Sequence, residues 1–344
     1  MNKNKIRLVE CFSGQGMQRR GIEASGLYDV ENVATCEIDT WATIAYAATH
    51  EGLTLDLVDN YSDYPSKQEM IKYLTALNSG YDPLKDKQYD WQKKINSKDK
   101  LIEKTWLACK LSKNVGDISK VKQLPECDLL TYSFPCQSIS IAGRLAGFEE
   151  DSGTRSSLVH EVMRLLVGYK KRNALPKYLL MENVRNLVSK RFLDDFNNII
   201  SLLDDIGYNT YWRVIDAKYC GVPQHRDRVF ALSVRKDIDN GRFEFPLPFD
   251  NGVRLKHILD PHVDEKYYIN TVKSQQMIDD LILNGKLTDD DVNDLKCLGN
   301  LSPVDNDKIH QRNWVYDEKG IINTQTATQY KDPSRVLQRN NYGG

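Results

Sequence analysis

"KIRLVECFSGQGMQRRGIEASG", Lys5 to Gly26, joins a short apolar run to a glycine-containing segment of helical character. This order predicts a strand, a tight turn and a helix that ends near Gly26. A second apolar run, "VENVATCEID", closes on acidic residues, and "TWATIAYAATH" after it predicts another helix. The repeat of strand, turn and helix predicts a βαβ unit with parallel strands.

The same alternation continues along the chain. "CDLLTYSF" and "PKYLLMENV" predict buried strands, and "SSLVHEVMRLLVGYKK" between them predicts a helix. "FLDDFNNIISLLDDIG" predicts an amphipathic helix that ends at Gly207, and "YNTYWRVIDA" and "RDRVFALSVR" predict a late antiparallel pair. The pattern therefore indicates a doubly wound α/β fold with a mostly parallel sheet.

Two regions interrupt this alternation. Residues 60–112 are polar, rich in lysine and predicted to be helical, so they resemble an insertion between the second and third strands. We expect a solvated decoration, with contact to a DNA backbone or a partner through the lysines as the alternative. From about Phe243 the pattern becomes irregular. We therefore predict a main domain over residues 1–235 and a smaller domain of short strands and loops over residues 236–344.

The bulk properties exclude several classes of protein. With 344 residues the chain can bury a large core, and no apolar segment reaches membrane-spanning length. The net charge of -1 neither suggests nor excludes a nucleic-acid partner, because a basic patch can be local. The cysteines form no CxxC pair, so neither a zinc ribbon nor a disulfide framework is indicated. We expect a reduced, cytoplasmic protein that binds no metal.

Glycines and acidic residues near the first strand ends indicate a nucleotide site. Gly14 and Gly16 of "ECFSGQGM" would let the backbone approach a ligand at a helix N-terminus, although a purely structural turn is as common. Glu37 of "CEID" can accept hydrogen bonds from a ribose diol, and Asp39 is expected to cap the next helix. Asp117 of "GDISKV" can accept from an exocyclic amine, although such a segment is more often a plain turn.

A thiol, a carboxylate and two arginines follow later strands. Cys136 lies in "FPCQS", Glu182 in "MENV", and Arg226 and Arg228 in "QHRDR". Because neighbouring parallel strands end at one edge of a sheet, these side chains can face one pocket. A thiolate attacks an electron-poor carbon, a carboxyl group can protonate a ring nitrogen, and arginine holds anionic or carbonyl oxygen. Taken alone, each also fits a plain role: a buried thiol, an exposed loop carboxylate and the solvent face of a strand.

The ordered set "ECFSGQGM", "CEID", "GDI", "SFPCQS", "GRLAGFEEDSGTR", "MENV" and "GVPQHRDRVF" resembles the C5-cytosine DNA methyltransferase family. The resemblance covers residues 1–235, and the Pro-Cys-Gln, Glu-Asn-Val and Gln-x-Arg-x-Arg motifs are distinctive together. It implies a Rossmann-like methyltransferase domain and then a target recognition domain. It also implies S-adenosyl-L-methionine as cofactor, S-adenosyl-L-homocysteine as product and double-stranded DNA as partner, in a bacterial or phage-infected cell.

The resemblance further implies a role for each catalytic candidate. The Cys136 thiolate would add to C6 of cytosine and make C5 nucleophilic, while Glu182 contacts N3 and the 4-amino group. Arg226 would steady the base and the cysteine loop, and Arg228 would support the fold around the site. The target carbon is unreachable in a stacked duplex, so the base must be flipped out. The segment "SISIAGRLAGFEEDSG" suits a mobile loop that closes over it.

The cofactor contacts implied by the resemblance fall on three turns and a proline. The resemblance implies that Phe12 packs on the cofactor and that Pro135 lies near the transferred methyl group. It implies that the backbone of Ser13, Gly14, Gln15 and Gly16 surrounds the methionine moiety and that Glu37 contacts the ribose. Ile38 and Ile118 would contact the faces of adenine, and Asp117 would contact its amino group.

This chain departs from the family pattern in two further places. Glu10 and Met17 stand where the family has Asp and a further glycine; both changes are mild, although Met17 makes the turn bulkier. The family normally continues with an Arg-x-Leu-Thr-Pro-x-Glu segment and a Gly-Asn-Ser/Ala motif, whereas this sequence stops at "DPSRVLQRNNYGG". We therefore expect either a fragment or a chain whose last motifs come from a second polypeptide, with weak cofactor binding alone.

The leading interpretation is an enzyme that methylates cytosine C5 within a short DNA sequence, in a restriction–modification or phage DNA-protection system. A tRNA cytosine-5 methyltransferase shares the catalytic motifs, but the variable region after Arg235 favours a DNA enzyme, because base readout needs a dedicated surface. An inactive or split subunit that needs a second polypeptide fits the missing motifs, whereas the intact Cys136, Glu182 and Arg226 argue against a non-catalytic binding subunit or degraded remnant. A nicotinamide-dependent dehydrogenase fits the glycine turn and "CEID" but not "FPCQS".

Overall fold

The computed structural model describes residues 3–135, 158–301, 313–325 and 334–339. The chain divides into two compact units, Met1–Arg213 with Val229–Glu244, and Val214–Arg228 with Phe245–Gly344. The first unit therefore runs to Glu244 rather than ending at residue 235, and a short earlier segment groups with the second unit. The sequence pattern missed this grouping because that segment overlaps two continuous strand patterns.

The helices and strands follow the order predicted for the main sheet, with further elements in the insertion and the second unit. The strands in chain order are β1 (Asn4–Cys11), β2 (Tyr28–Cys36), β3 (Tyr81–Asp82), β4 (Lys87–Gln88), β5 (Leu129–Tyr132), β6 (Tyr178–Val184), β7 (Tyr208–Asp216), β8 (Gln224–His225), β9 (Asp227–Arg235), β10 (Cys297–Asn300), β11 (Trp314–Asp317), β12 (Ile322–Asn323) and β13 (Arg335–Leu337). The α-helices are α1 (Met17–Ala24), α2 (Thr40–His50), α3 (Leu55–Asn60), α4 (Lys67–Ala76), α5 (Leu101–Leu111), α6 (Leu158–Lys171), α7 (Leu193–Ile206) and α8 (Val272–Leu283).

The main sheet has the strand order β2-β1-β5-β6-β9-β7. β1 pairs in parallel with both β2 and β5, and β5 pairs in parallel with β6. The chain moves outward from β1 to β2 and then returns past β1 to β5, so the strand order reverses at β1. With right-handed crossovers, such a reversal puts the connecting helices on opposite faces of the sheet. The predicted doubly wound α/β fold is confirmed, and β7 and β9 are neighbours at one edge.

Local sequence explains where these elements lie and end. Leu8 and Val9 of β1 are fully buried, as expected for a strand that is covered on both faces. The Asp39 side chain accepts hydrogen bonds from the backbone N–H groups of Trp41 and Ala42, which confirms the predicted cap of α2. α7 ends at Gly207, whose φ of 131° lies in a region that favours glycine.

The segment between β2 and β5 has a packed core. α3, α4, the β3–β4 hairpin and α5 surround buried side chains that include Met70, Leu74, Trp91 and Leu107. The cluster continues onto Ala47 of α2, so the insertion joins the core of the first unit. The expectation of a solvated decoration was wrong, because the frequent lysines obscured the apolar positions that recur at helical spacing.

The second unit contains a small sheet with the order β10-β11-β13, and the two-residue strands β8 and β12 pair in parallel. α8 packs beside this sheet through Ile278 and Leu281, which join Val315 and Leu337 in a small core. Short strands and loops thus dominate this unit, as the irregular sequence pattern indicated. No helix in the described parts of the chain is both long and apolar enough to cross a membrane.

Candidate active site

The carboxyl ends of four strands meet at one edge of the main sheet. The register pairs Cys11 with Cys36 and with Tyr132, and it pairs Tyr132 with Met181. The residues that directly follow these positions are Phe12, Glu37, Ser133 and Glu182. Cofactor candidates and a catalytic candidate therefore share the edge at which open α/β sheets bind ligands.

A pocket of about 330 Å³ lies at this edge, within the first unit. Among the residues predicted to contact the cofactor, those that line it are Phe12, Glu37, Ile38, Asp117, Ile118 and Pro135. The lining is completed by Cys36, Asp39, Tyr81, Gly116, Ser133 and Leu158. The remaining candidates, residues 13–16, form the turn that follows β1. The structure thus brings the cofactor candidates together, while their contact with a ligand stays a prediction.

The turn after β1 has an unusual backbone. Phe12 has a φ of 58°, and Gly14 and Gly16 have φ values of 52° and 75°, all in the left-handed region. A left-handed non-glycine residue costs about 1–3 kcal/mol and persists only where the surroundings hold it. A Cβ on Gly16 would lie 2.5 Å from Nε2 of His50, so this position requires glycine. Met17 is 60% exposed, so its bulk does not crowd the turn.

Glu37 fastens the turn after β2 to the turn after β1. Its Oε2 accepts the N–H of Gly14 at 2.8 Å, and its Oε1 accepts the N–H groups of Ile38 and Asp39, both at 2.9 Å. Burial raises the pKa of Glu37, although the three backbone N–H groups act in the opposite direction. Because each carboxylate oxygen has two lone pairs, Glu37 keeps acceptor capacity for a ligand hydroxyl.

Asp117 presents a second carboxylate to the pocket. Its Oδ1 accepts hydrogen bonds from the N–H and the hydroxyl of Ser119 at 3.0 and 2.7 Å, and its Oδ2 accepts Nδ2 of Asn78 at 2.9 Å. Burial acts to raise the pKa of Asp117, but these hydrogen bonds outweigh it and lower the pKa below its ordinary value of 3.8. Asp117 is therefore ionised at neutral pH and accepts hydrogen bonds strongly.

Asn114 joins the turns that carry the two carboxylates. Its buried Oδ1 accepts the N–H of Glu37 at 3.1 Å and the N–H of Gly116 at 2.9 Å, and its Nδ2 donates to the carbonyl oxygen of Glu37 at 2.9 Å. Sequence reasoning missed Asn114, Asn78 and Tyr81. An asparagine two residues before a glycine is a turn signal that could have indicated Asn114. Asn78 stands in the same way before Gly80, but this local signal does not identify its remote partner Asp117, and Tyr81 carries no such signal.

The strand that carries Glu182 also holds the segment before the predicted nucleophile. Glu182 lies half-buried in β6, which neighbours β5. The next residue, Asn183, donates Nδ2 to the carbonyl oxygen of Phe134 at 2.9 Å. This bond joins β6 to Phe134 in the segment that follows β5, and Phe134 lies two residues before Cys136. Cys136 and the predicted closing loop lie outside the described residues, so the pairing of thiol and carboxylate stays a prediction.

Arg226 and Arg228 lie in the second unit, beside and within β9. The backbone N–H of Arg226 donates to Oδ1 of Asp216 at 2.9 Å, and its carbonyl oxygen accepts the N–H of Ala217 at 3.1 Å. Arg228 donates from Nη1 to the carbonyl oxygen of Asp227 at 2.7 Å. These contacts fix the backbone at Arg226, and the catalytic roles of both arginines stay predictions.

Three residues of metal-ligating types meet in the same segment. Asp216, His225 and Asp227 bring one ligand atom each within 4.8 Å of one another. Nδ1 of His225 lies 2.6 Å from Oδ2 of Asp216, and the other oxygen of Asp216 accepts the N–H groups of Arg226 and Lys218. Protein groups already engage both oxygens of Asp216, so the grouping needs no cation to explain it.

A doubly wound sheet with a carboxylate-bearing pocket at its reversal point is typical of an α/β enzyme that binds a nucleotide-like ligand. Residues 89–341 match the family model described as C-5 cytosine-specific DNA methylase. The chain therefore belongs to the C-5 cytosine-specific DNA methylase family and is an enzyme that methylates cytosine in DNA. Members of this family generally use S-adenosylmethionine. The predicted family and activity are confirmed.

Individual relatives agree with this assignment. The chain is 37% identical over 284 residues to the type II methyltransferase M2.ScrFI of Lactococcus lactis subsp. cremoris, covering 81% of this chain and 73% of that protein. It is 31% identical over 350 residues to the orphan methyltransferase M.SssI of Spiroplasma monobiae, covering 98% of this chain and 84% of that protein. The orphan methyltransferase M.Rho11sI of Bacillus phage rho11s is 29% identical over 253 residues, covering 62% and 48% of the two chains.

Proposed function

We propose that the pocket at the carboxyl edge binds S-adenosyl-L-methionine and that Cys136 forms a covalent bond to C6 of a flipped-out cytosine while C5 is methylated. The observation that carries this proposal is the pair of carboxylates, Glu37 and Asp117, in one pocket that Pro135 also lines. Pro135 directly precedes Cys136 in the chain. A cofactor site thus adjoins the segment that bears the proposed nucleophile.

The residues of the pocket suit an adenosyl cofactor. Glu37 keeps acceptor sites for the ribose hydroxyls, and Asp117 offers Oδ2 to the exocyclic amine of adenine. Ile38 and Ile118 supply apolar faces for the purine ring, and Phe12 lines the same pocket. The volume of about 330 Å³ lies at the lower end of the range for small-molecule pockets, about 300–1,000 Å³. When bound there, the cofactor supplies an electrophilic methyl group.

The chain's own residues carry the rest of the chemistry in this proposal. Cytosine C5 is a poor nucleophile until the Cys136 thiolate adds to C6, which moves electron density to C5. Glu182 holds N3 and the 4-amino group of the base and so stabilises the adduct. Once C5 carries the methyl group, loss of the C5 proton to a base restores the C5–C6 double bond and expels the thiolate. Arg226 steadies the base during these steps.

Two sets of contacts support these roles. The hydrogen bond from Asn183 to the carbonyl oxygen of Phe134 keeps the segment that leads to Cys136 against the strand of Glu182. The backbone of Arg226 is held at both its N–H and its carbonyl group, which limits where its side chain can reach. Rigid support of this kind is what a reaction needs when its groups must meet within a few tenths of an ångström.

The biological setting follows from the kinds of relatives that resemble the chain. A type II methyltransferase of a bacterium and an orphan methyltransferase of a phage are among them. They support DNA modification within a restriction–modification or phage DNA-protection system. In such a system the second unit would supply the groove contacts that select the target sequence, since base readout needs its own surface.

Methyl transfer and adduct trapping test the proposal together. The unchanged chain should transfer tritiated methyl groups from S-adenosyl-L-methionine to unmethylated duplex DNA and not to tRNA. DNA that contains 5-fluorocytosine should form a covalent adduct with it that survives denaturing gel electrophoresis, because fluorine cannot leave C5 as a proton does. Cys136→Ser should lower methyl transfer by more than about 100-fold and abolish the adduct.

A matched thiol provides the control. Cys297 is exposed in β10 of the second unit and does not line the pocket, so Cys297→Ser removes a thiol that the proposed mechanism does not use. It should keep both methyl transfer and adduct formation. Methyl transfer that persists in Cys136→Ser would overturn the covalent mechanism, and a preference for tRNA over duplex DNA would overturn the proposed substrate.

A further inference from the structure

Residues 77–81 of the insertion run between the two turns that carry Glu37 and Asp117. On one side, the carbonyl oxygen of Leu77 accepts the N–H of Asp117 at 2.9 Å. On the other side, the N–H groups of Gly80 and Tyr81 donate to the carbonyl oxygen of Ile38 at 3.0 and 2.9 Å. The insertion therefore bridges the turns at both ends of the adenosine-binding side of the pocket.

The insertion holds these residues firmly. Ser79 is fully buried, and its carbonyl oxygen accepts Nε1 of Trp91 at 3.2 Å. Trp91 belongs to the buried cluster of the insertion, so the bridge is anchored by a hydrophobic core and not by a surface loop alone. Asn78 has a φ of 52°, a left-handed conformation that asparagine tolerates better than most residues. The anchored backbone at Asn78 thus fixes the position from which its side chain extends.

The side chain of Asn78 contacts the carboxylate that is proposed to recognise adenine. Nδ2 of Asn78 lies 2.9 Å from Oδ2 of Asp117, while Ser119 engages Oδ1. With both oxygens engaged, the carboxylate of Asp117 cannot rotate freely. Oδ2 still has a second lone pair, and its direction is set by the bond from Asn78.

Tyr81 adds a wall to the same pocket. It is half-buried, lines the pocket and forms a parallel β-bridge with Asp39. Its hydroxyl donates to Oδ1 of Asp86 at 2.6 Å, which ties the ring to the β3–β4 hairpin. The Tyr81 ring therefore adds contact area to the wall of the pocket, whereas Asn78 orients the carboxylate of Asp117.

We infer that Asn78 is a positioning residue that orients Asp117 toward the 6-amino group of a bound adenosyl ligand, and that the insertion thereby sets the purine specificity of the pocket. This inference rests on the proposed function, because it takes the pocket to be the cofactor site. It assigns to the insertion a role in ligand recognition within the first unit.

Binding of two ligands to the full chain tests the inference. S-adenosyl-L-homocysteine carries the 6-amino group, and an analogue with hydrogen in its place does not. By calorimetry, Asn78→Ala should weaken binding of S-adenosyl-L-homocysteine about tenfold, since a charge-assisted contact loses its orientation. The same variant should weaken binding of the analogue by less than about threefold. Asp117→Asn should also reduce the preference, and adding Asn78→Ala to it should reduce the preference no further.

Asn60→Ala is the matched control. Asn60 also belongs to the insertion, and its Nδ2 donates to Oδ1 of Asp56 at 2.8 Å, but this pair is exposed and away from the pocket. Asn60→Ala should leave the affinities for both ligands unchanged. Thermal unfolding of each variant identifies any loss of affinity that comes from a less stable fold.

The outcomes separate the inference from the function on which it rests. If Asn78→Ala weakens both ligands equally, Asn78 has only a structural role and the inference is overturned while the cofactor pocket stands. If the unchanged chain binds neither ligand, the proposed cofactor pocket fails and the inference fails with it. A selective loss for the amino-bearing ligand supports the inference.

Discussion

Replacement of Glu10 by glutamine tests how burial controls the charge of the strand that leads into the pocket. Glu10 is 1% exposed near the end of β1, where its Oε1 accepts the N–H of Arg19 at 3.3 Å and its Oε2 accepts the hydroxyl of Tyr46 at 2.6 Å. Burial raises the pKa of Glu10 from 4.5 to about 7, against the opposing effects of these hydrogen bonds and the Arg19 charge.

The sign of the effect follows from proton binding in the two states. Between pH 4.5 and 7 the folded protein keeps a proton on Glu10 that the unfolded chain has released, so stability falls as pH rises through this window. A rise from 4.5 to about 7, at about 1.4 kcal/mol for each pKa unit, amounts to roughly 3 kcal/mol above pH 7. Glutamine has a similar shape and never ionises, so Glu10→Gln escapes this loss.

Urea unfolding of both proteins at pH 5 and pH 8.5 measures the effect. The free energy of unfolding of Glu10→Gln relative to the unchanged chain should rise by about 2.5 kcal/mol between these pH values, whatever the constant cost of replacing one oxygen by an amide. Glu31→Gln, which removes an exposed carboxylate from β2, serves as the control and should keep the pH dependence of the unchanged chain. A difference between Glu10→Gln and the unchanged chain that stays constant with pH would refute the reasoning.

Two further substitutions test the insertion and its contact with the pocket. Leu74→Ala should lower the free energy of unfolding by about 2–5 kcal/mol, because Leu74 is fully buried in the insertion core. Leu55→Ala, at a 68% exposed position of α3, should change it by less than about 0.5 kcal/mol, and equal losses for both in urea unfolding would contradict a packed insertion. Gly116→Ala should destabilise the fold and weaken binding of S-adenosyl-L-homocysteine, because a Cβ there would collide with a backbone carbonyl of the insertion at a φ of +75°. Gly52→Ala shares the left-handed backbone, with a φ of +70°, but meets no atom within 4 Å, so calorimetry should find its ligand affinity unchanged.

Local patterns predicted the main sheet because each strand and helix there is determined by residues close together in the sequence. The apolar run of β1, the glycine turn and the cap at Asp39 depend on neighbours within a few positions. The insertion was misjudged for the opposite reason: its core forms only when α3, α4 and α5 meet, and the frequent lysines of this segment obscured the apolar positions of these helices. The boundary of the second unit was also missed, because strand patterns continue through it.

The same distinction applies to the candidate site. The order of the motifs along the chain was enough to predict that Glu37, Asp117 and Pro135 lie at one edge of the sheet, because neighbouring parallel strands end at the same edge. The residues that hold them were not predictable in this way. Asn78 lies 39 positions before its partner Asp117, and such a pairing depends on the path of the insertion across the sheet. No rule of sequence spacing predicts a contact between two residues that come together only in the folded chain.

The two carboxylates of the pocket also respond differently to burial, and this difference matches the groups they are proposed to bind. At Glu37 burial outweighs three backbone N–H groups and raises the pKa, whereas at Asp117 the bonds from Ser119 and Asn78 outweigh burial and lower it. A ribose hydroxyl can bind a carboxyl group in either protonation state, because it both donates and accepts. An exocyclic amine that donates gains more from an ionised acceptor. Ser119 and Asn78 together keep Asp117 ionised, and Asn78, which orients Oδ2, comes from the insertion. The segment least expected from the sequence to serve the ligand is therefore one on which the inferred purine recognition would depend.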